Sequence, residues 1–391
     1  MPDPRKKKFN GPAMFSYGFR PFFLAAILFA GAAVLGWLAA YFGRFEPQSV
    51  LMPVDWHIHE MLFGYTAAVI TGFLFTAIPN WTGRMPIRGW PLAALVLIWG
   101  AGRLVMLGIG GLGPVAVMAV DCAFLLAILA CAVREVIAGK NWRNLVVVGP
   151  VGMFLLANIW FHLEAMNSGS TDNSRRLGIA VVIFLITLIG GRVIPSFTRN
   201  WLVKQKSDAL PTAMNRFDGL CLIGGVVGLA AWIGAPDSGL SQLVLAGAAV
   251  LHGMRLSRWC GLRTVLSPIL FMLHVAYGFV PLGLLTLALN YQTEGVHVLG
   301  IGAIGGMTVA VMIRATLGHT GRALQTTPDL VVGFAALPVA ALLRVLAQNL
   351  DGFYALGILL SGGIWICGFA IILVRVGPWL WSENAQKRMP N

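Results

Sequence analysis

Apolar runs long enough to form membrane-crossing helices follow one another along the whole chain, separated by short stretches rich in Pro, Gly, Asn and charge. They fall at 20–43, 57–79, 89–108, 112–136, 144–166, 174–195, 216–235, 239–258, 267–290, 295–319, 329–349 and 353–380. An α-helix needs about 20 apolar residues to cross a bilayer, and each run meets or approaches that length. The pattern predicts an all-α membrane protein: one polytopic domain over 1–391, a bundle of about twelve transmembrane helices, with 1–19 as a basic N-terminal segment. The glycine-rich breaks near Gly110 and Pro236 are the softest divisions, and the count depends on them.

Composition sharpens this picture. Of the 391 residues, 58% are apolar and 11% charged, against about 25% charged in a soluble domain, and mean hydropathy is +0.79. Cytosolic enzymes, secreted disulfide scaffolds and tethered nucleotide-binding domains are excluded. Arg5 and Lys6 to Lys8 ahead of Phe22 to Phe42 imitate a signal peptide. That apolar stretch is long enough to span and has no convincing cleavage site, so it reads as a retained first helix.

The 28 basic and 15 acidic residues give a net charge of +13, which in a soluble domain would suggest nucleic acid. Here the charge follows the loops. With the N-terminus inside, every basic residue except Arg44, Arg103, Arg175, Arg176 and Arg344 falls toward a cytoplasmic end, the asymmetry expected of a polytopic protein. Both termini are therefore expected to be cytoplasmic, with a lipid bilayer as partner and no nucleic acid. The five cysteines include no Cys-x-x-Cys pair, which excludes thiolate metal clusters and covalent c-type haem. No repeat links the two halves, so the paired broken helices common in transporters are missing.

The chemistry lies in seven histidines, all within or at the ends of apolar runs. At about 1.5 Å per residue, His57, His59, His162 and His297 come out near the outer face, and His252, His274 and His319 in the inner half. His297 and His319 share a helix but are separated by about 33 Å, so they cannot hold one ion and two sites are implied. In Asp55-Trp56-His57-Ile58-His59-Glu60-Met61, regular helical geometry puts His57 beside Glu60 and turns His59 toward Phe63. Glu60 is a carboxylate inside a span, where it must pair, stay protonated or orient a histidine. Gly300, Gly302, Gly305 and Gly306 after His297 allow close approach of a flat macrocycle or, more commonly, another helix. Imidazoles from facing helices suit iron and copper, so metal is expected on His57, His59, His297 and His319.

In the inner group, Arg314 and Arg322 flank His319, and fixed arginines can hold an anion such as a haem propionate. Arg255 and Arg322 also sit where cytoplasmic anchors are expected. Arg103 and Asp121, on neighbouring helices at similar depth, read as a structural ion pair rather than a proton route.

Four segments carry a family resemblance: Phe15-Ser-Tyr-Gly-Phe-Arg-Pro-Phe-Phe-Leu24, His57-Ile-His-Glu-Met-Leu-Phe-Gly-Tyr65, Gly72-Phe-Leu-Phe-Thr-Ala-Ile-Pro-Asn-Trp-Thr-Gly83 and Arg314-Ala-Thr-Leu-Gly-His-Thr-Gly-Arg322. With His252-Gly-Met-Arg255 and Leu273-His274 between them, the chain resembles the NnrS family over essentially its whole length. The resemblance implies a twelve-helix protein of the bacterial inner membrane that carries haem and copper and is associated with denitrification and nitric oxide stress. The resemblance carries over His57, His59, Glu60, His297 and His319 as motif members, and together with the depth reading the expected cofactor-binding set adds His162, His252, His274, Arg314 and Arg322. A small gas such as nitric oxide would be the ligand, with redox chemistry on it as the enzymatic reading. The outline is also similar to the catalytic subunit of haem-copper oxidases, but the His-His pair and copper motif of that subunit are missing. The rival reading is a metal-free, proton-coupled permease using Glu60, the histidines and Arg314. A third is an accessory protein for the assembly of other enzymes.

Overall fold

The computed structural model describes residues 9–350 and 352–383, with the side chain of residue 143 left out. The basic run at Arg5 to Lys8 and the pair Lys387 and Arg388, which bear on the expected topology, lie outside the described residues. Among those described, twelve helices replace the twelve apolar runs one for one. They are α1 (Phe19–Tyr41), α2 (Pro53–Thr82), α3 (Trp90–Met106), α4 (Pro114–Ala138), α5 (Leu145–Ser168), α6 (Asp172–Lys204), α7 (Arg216–Gly234), α8 (Gly239–Ser257), α9 (Pro268–Ala288), α10 (Gln292–His319), α11 (Pro328–Gln348) and α12 (Tyr354–Trp381). Ten are long and apolar enough to cross a membrane; α3 and α8 fall short of that standard.

Local chemistry sets the boundaries. Proline occupies the first turn of α2, α3, α4, α9 and α11, where its missing N–H costs nothing and its fixed φ is already helical. Asn215 and Asp218 form a reciprocal capping box that starts α7, satisfying donors the helix itself cannot. Pro195 marks the expected end of the sixth helix, yet α6 continues through it to Lys204. Within an apolar span, neighbouring groups can absorb the lost backbone bond.

Two helices depart from α geometry. A π turn occupies Glu60–Thr66 in α2, directly after His59, and another occupies Val298–Gly305 in α10, directly after His297. Such wide turns concentrate at functional sites. Each also resets the angular register of the residues beyond it, so side chains on its two sides are not related by regular 100° steps.

The chain's contacts form two compact units: Met1–Gly178 with Thr316–Arg322 and Ile372–Asn391, and Ile179–Ala315 with Ala323–Ile371. In the first, α1 packs on α2, α2 on α4, and the hairpin partners α3, α4 and α5 pack in sequence. The α3–α4 turn needs Gly108, whose φ is +86° and whose added Cβ would meet the Gln48 carbonyl. Buried Arg20, at the start of α1, donates to the carbonyl oxygens of Leu380 at 2.8 Å and Ser382 at 2.7 Å at the end of α12. In the second unit α7, α8 and α9 pack in sequence, and both α9 and α11 pack on the π turn of α10.

Candidate metal centre

The first unit encloses a polar cluster drawn from four helices. α2 supplies His59 and Glu60 at the mouth of its π turn, α3 supplies Arg103, α4 supplies Asp121, and α5 supplies Asn158 and His162. The last two are four residues apart, so they project from one face of α5. All six side chains are buried. His59 Nδ1 lies 2.9 Å from Glu60 Oε1, and its Nε2 lies 3.1 Å from Asp121 Oδ2 and 2.9 Å from Asn158 Oδ1. His162 Nε2 lies 3.2 Å from the same Asp121 Oδ2. Asn158 Nδ2 donates to that oxygen at 2.7 Å. Arg103 donates from Nη1 to Glu60 Oε1 at 2.6 Å and from Nη2 to Asp121 Oδ1.

Both ring nitrogens of His59 thus face acceptors. A neutral imidazole has a single N–H, so the site calls for one more positive species at Nε2, a proton or a metal ion. The charge balance agrees. With the formal charges of two carboxylates and one guanidinium, the buried site carries one negative charge in excess, and uncompensated buried charge is strongly destabilising. Glu60 Oε2 and Arg103 Nε are also buried without a hydrogen-bond partner. Phe63 and Phe161 press on the His59 ring at centroid distances of 5.3 and 5.4 Å, which keeps the surroundings apolar and raises the electrostatic stakes.

The ligand atoms of His59, Asp121 and His162 all lie within 4.8 Å of one another. Two imidazoles and a carboxylate suit copper, zinc or ferrous iron, and Glu60 on Nδ1 is the kind of carboxylate that fixes a ligating histidine's tautomer and orientation. The donor set therefore fits copper. Along α10, Gly302 and Gly305 are closed off by Phe279 and Trp365, whose rings an added Cβ would strike, while Gly300 has no neighbour within 4 Å. Gly302 and Gly305 serve helix packing.

The expected site residues separate accordingly. His59, His162 and Glu60 come together, at the common depth expected for the two histidines. Glu60 pairs with His59, its neighbour in the chain, across 2.9 Å. His57 is half-buried and stacks on Trp37 at 4.8 Å between ring centroids. His297 is half-buried, its Nδ1 2.7 Å from Thr293 O one turn earlier. His319 lies against Phe19 at 5.6 Å, Arg322 over Trp379 at 5.1 Å, and Arg314 over Phe197 at 3.7 Å. His274 Nε2 meets Thr198 Oγ1 at 2.8 Å.

Around His252 the second unit holds its own polar cluster. His252 Nδ1 lies 2.9 Å from the Tyr277 hydroxyl. Arg255 donates to Asp218 Oδ1 at 2.9 Å, Thr187 O at 2.8 Å and Tyr277 at 3.2 Å. The anchor role expected of Arg255 is corrected here: the side chain is fully buried, because Asp218 from the α7 capping box supplies a countercharge. Arg103 and Asp121 do form the expected pair. Their convergence with the histidines, and the part of Asn158, were missed. The four-residue spacing of Asn158 and His162 on an apolar helix was the available signal.

A family model described as NnrS protein matches residues 13–384. The chain belongs to the NnrS family. No curated protein matches it. Membership in the NnrS family, with ten helices fit to cross a bilayer, points to a nitric oxide-related multi-pass membrane protein.

Proposed function

We propose that this protein is a haem- and copper-binding protein of the bacterial inner membrane acting in nitric oxide metabolism or tolerance, and that copper is held by His59, Asp121 and His162. One observation carries the copper assignment: the His59 ring faces acceptors on both nitrogens while sharing Asp121 Oδ2 with His162. A cuprous ion supplies the single positive charge the cluster lacks, and when bound it offers a soft centre for a small neutral ligand.

The protein's own groups do the rest. Glu60 holds Nδ1–H and leaves Nε2 free to ligate. Arg103 donates to both carboxylates and fixes Asp121 through its other oxygen. The phenylalanines exclude water. His59 Nε2 would ligate copper only without a proton, so a proton held there would leave as the metal binds. Haem content rests on the family resemblance.

The test is copper and haem content of purified protein, with proton release followed during cuprous titration at constant ionic strength. The expected result is one copper per chain, displaced protons, and loss of both in His59→Ala. The same polar cluster supports the permease reading in one respect, since a proton on His59 balances its charge equally well. Stoichiometric absence of copper, with proton uptake retained in membranes, would favour that reading.

A further inference from the structure

A groove of about 480 Å³ runs along the first unit between α1 and α3. Pro21, Leu24, Leu28 and Phe29 line it from one stripe of α1, and Val96 and Trp99 from α3. Its wall is almost wholly apolar. Phe29 and Trp99 form part of that wall, and their rings meet edge to face at 5.4 Å.

Behind those rings stands the metal centre. Arg103 is one turn beyond Trp99 on α3, and its guanidinium carbon lies 5.8 Å from the Phe29 ring centroid. Trp99 Nε1 donates to the Gly64 carbonyl in the π turn at 3.0 Å. A Cβ on Gly64 would lie 2.7 Å from Phe29 Cε1 and 2.4 Å from Arg103 Nη1, so the same glycine touches the groove wall and the cluster. Arg103 in turn holds Glu60, which holds His59. A single aromatic layer therefore separates an apolar groove from a buried, charged centre.

We infer that this groove is the route by which a small uncharged gas passes from the bilayer to the His59 centre, with Phe29 as its gate; the inference rests on the reading of that centre given above. Charged or strongly polar solutes would lose hydration against a wall that offers no partner. Anything much larger than a diatomic would have to displace both rings together. An uncharged diatomic dissolves in acyl chains, follows the stripe, and passes when the half-exposed Phe29 ring turns, on the fast timescale of such side chains. Continuity decides between occupants: a lipid chain could fill the groove, but it would have no reason to share Phe29, Trp99 and Gly64 with a metal centre.

The experiment uses xenon as the probe on crystals of metal-free protein. Xenon is expected in the groove of the wild type. In Phe29→Ala a second xenon is expected against Arg103, and in Ala25→Trp, whose indole fills the groove from α1, both should be lost. In parallel, nitric oxide association with the copper-loaded Ala25→Trp protein should slow by about tenfold or more at unchanged copper content, since access and not affinity is altered. Acyl-chain density in place of xenon in the wild type overturns the inference, as does an unchanged association rate in Ala25→Trp. Failure of the metal centre reads out separately, as absence of copper, and leaves the xenon positions free to test the passage.

Discussion

His59 and Asp121, brought from α2 and α4, meet at 3.1 Å between Nε2 and Oδ2, and that same oxygen also receives His162. One carboxylate oxygen is thus the meeting point of two imidazoles.

The ligand assignment makes a graded expectation. His59→Ala, His162→Ala and Asp121→Asn should each abolish copper binding at normal abundance. Glu60→Gln should weaken it by about 10- to 100-fold, the usual effect of removing a group that orients a ligand. Copper titration with an immunoblot for abundance measures both; an unchanged affinity in His162→Ala would sink the assignment.

His57 and His297 should behave differently from His59. Their rings are engaged with Trp37 and the Thr293 carbonyl, so His57→Ala and His297→Ala are expected to retain copper at this centre. Loss of copper from His57→Ala, with the fold intact by circular dichroism, would return that ligand to the site.

Arg103 has a structural task whatever occupies the centre. Arg103→Met leaves Glu60 and Asp121 facing each other's charge in an apolar interior, and breaking one side of a buried pair costs about 3–5 kcal/mol. Thermal unfolding in detergent should show a large fall, and a double variant that adds Glu60→Gln should recover part of it. Equal stability of Arg103→Met and wild type would contradict the charge balance.

In the second unit, Asp218 serves two purposes, capping α7 and neutralising Arg255. Asp218→Asn should therefore destabilise more than a lost cap alone, which costs about 0.5–2 kcal/mol. The comparison is Asn215→Ala, which removes the cap and keeps the ion pair. If the two variants melt together, Arg255 does not depend on Asp218.

Topology is checked independently. The loop-by-loop alternation of basic residues predicts cytoplasmic termini, so reporter fusions before residue 1 and after residue 391 should both report the cytoplasm. An external C-terminus would mean an odd number of crossings.

Helices were legible because burial in lipid demands long apolar runs, and all twelve runs became helices. Pro195 misled only about where α6 stops. Depth was legible too, since rise along a helix is simple arithmetic; it put His59 level with His162, and Arg103 level with Asp121. Rotation about the helix axis was not. The π turn at Glu60 resets which side chains share a face, and no residue pattern announced it. Convergence of Asp121 with the histidines depends on how α2, α4 and α5 turn against one another, which periodicity along any one of them does not encode.

The contact between Arg20 and the end of α12 sets an order for biogenesis. When α1 enters the bilayer, its guanidinium has yet to meet the Leu380 carbonyl, which lies 360 residues further along. Until then that pairing of the first helix with the last is unmade, and a cation without its partner is costly to bury. A chain that stops before α12 would lack the carbonyl oxygens of Leu380 and Ser382 that receive this guanidinium in the finished fold.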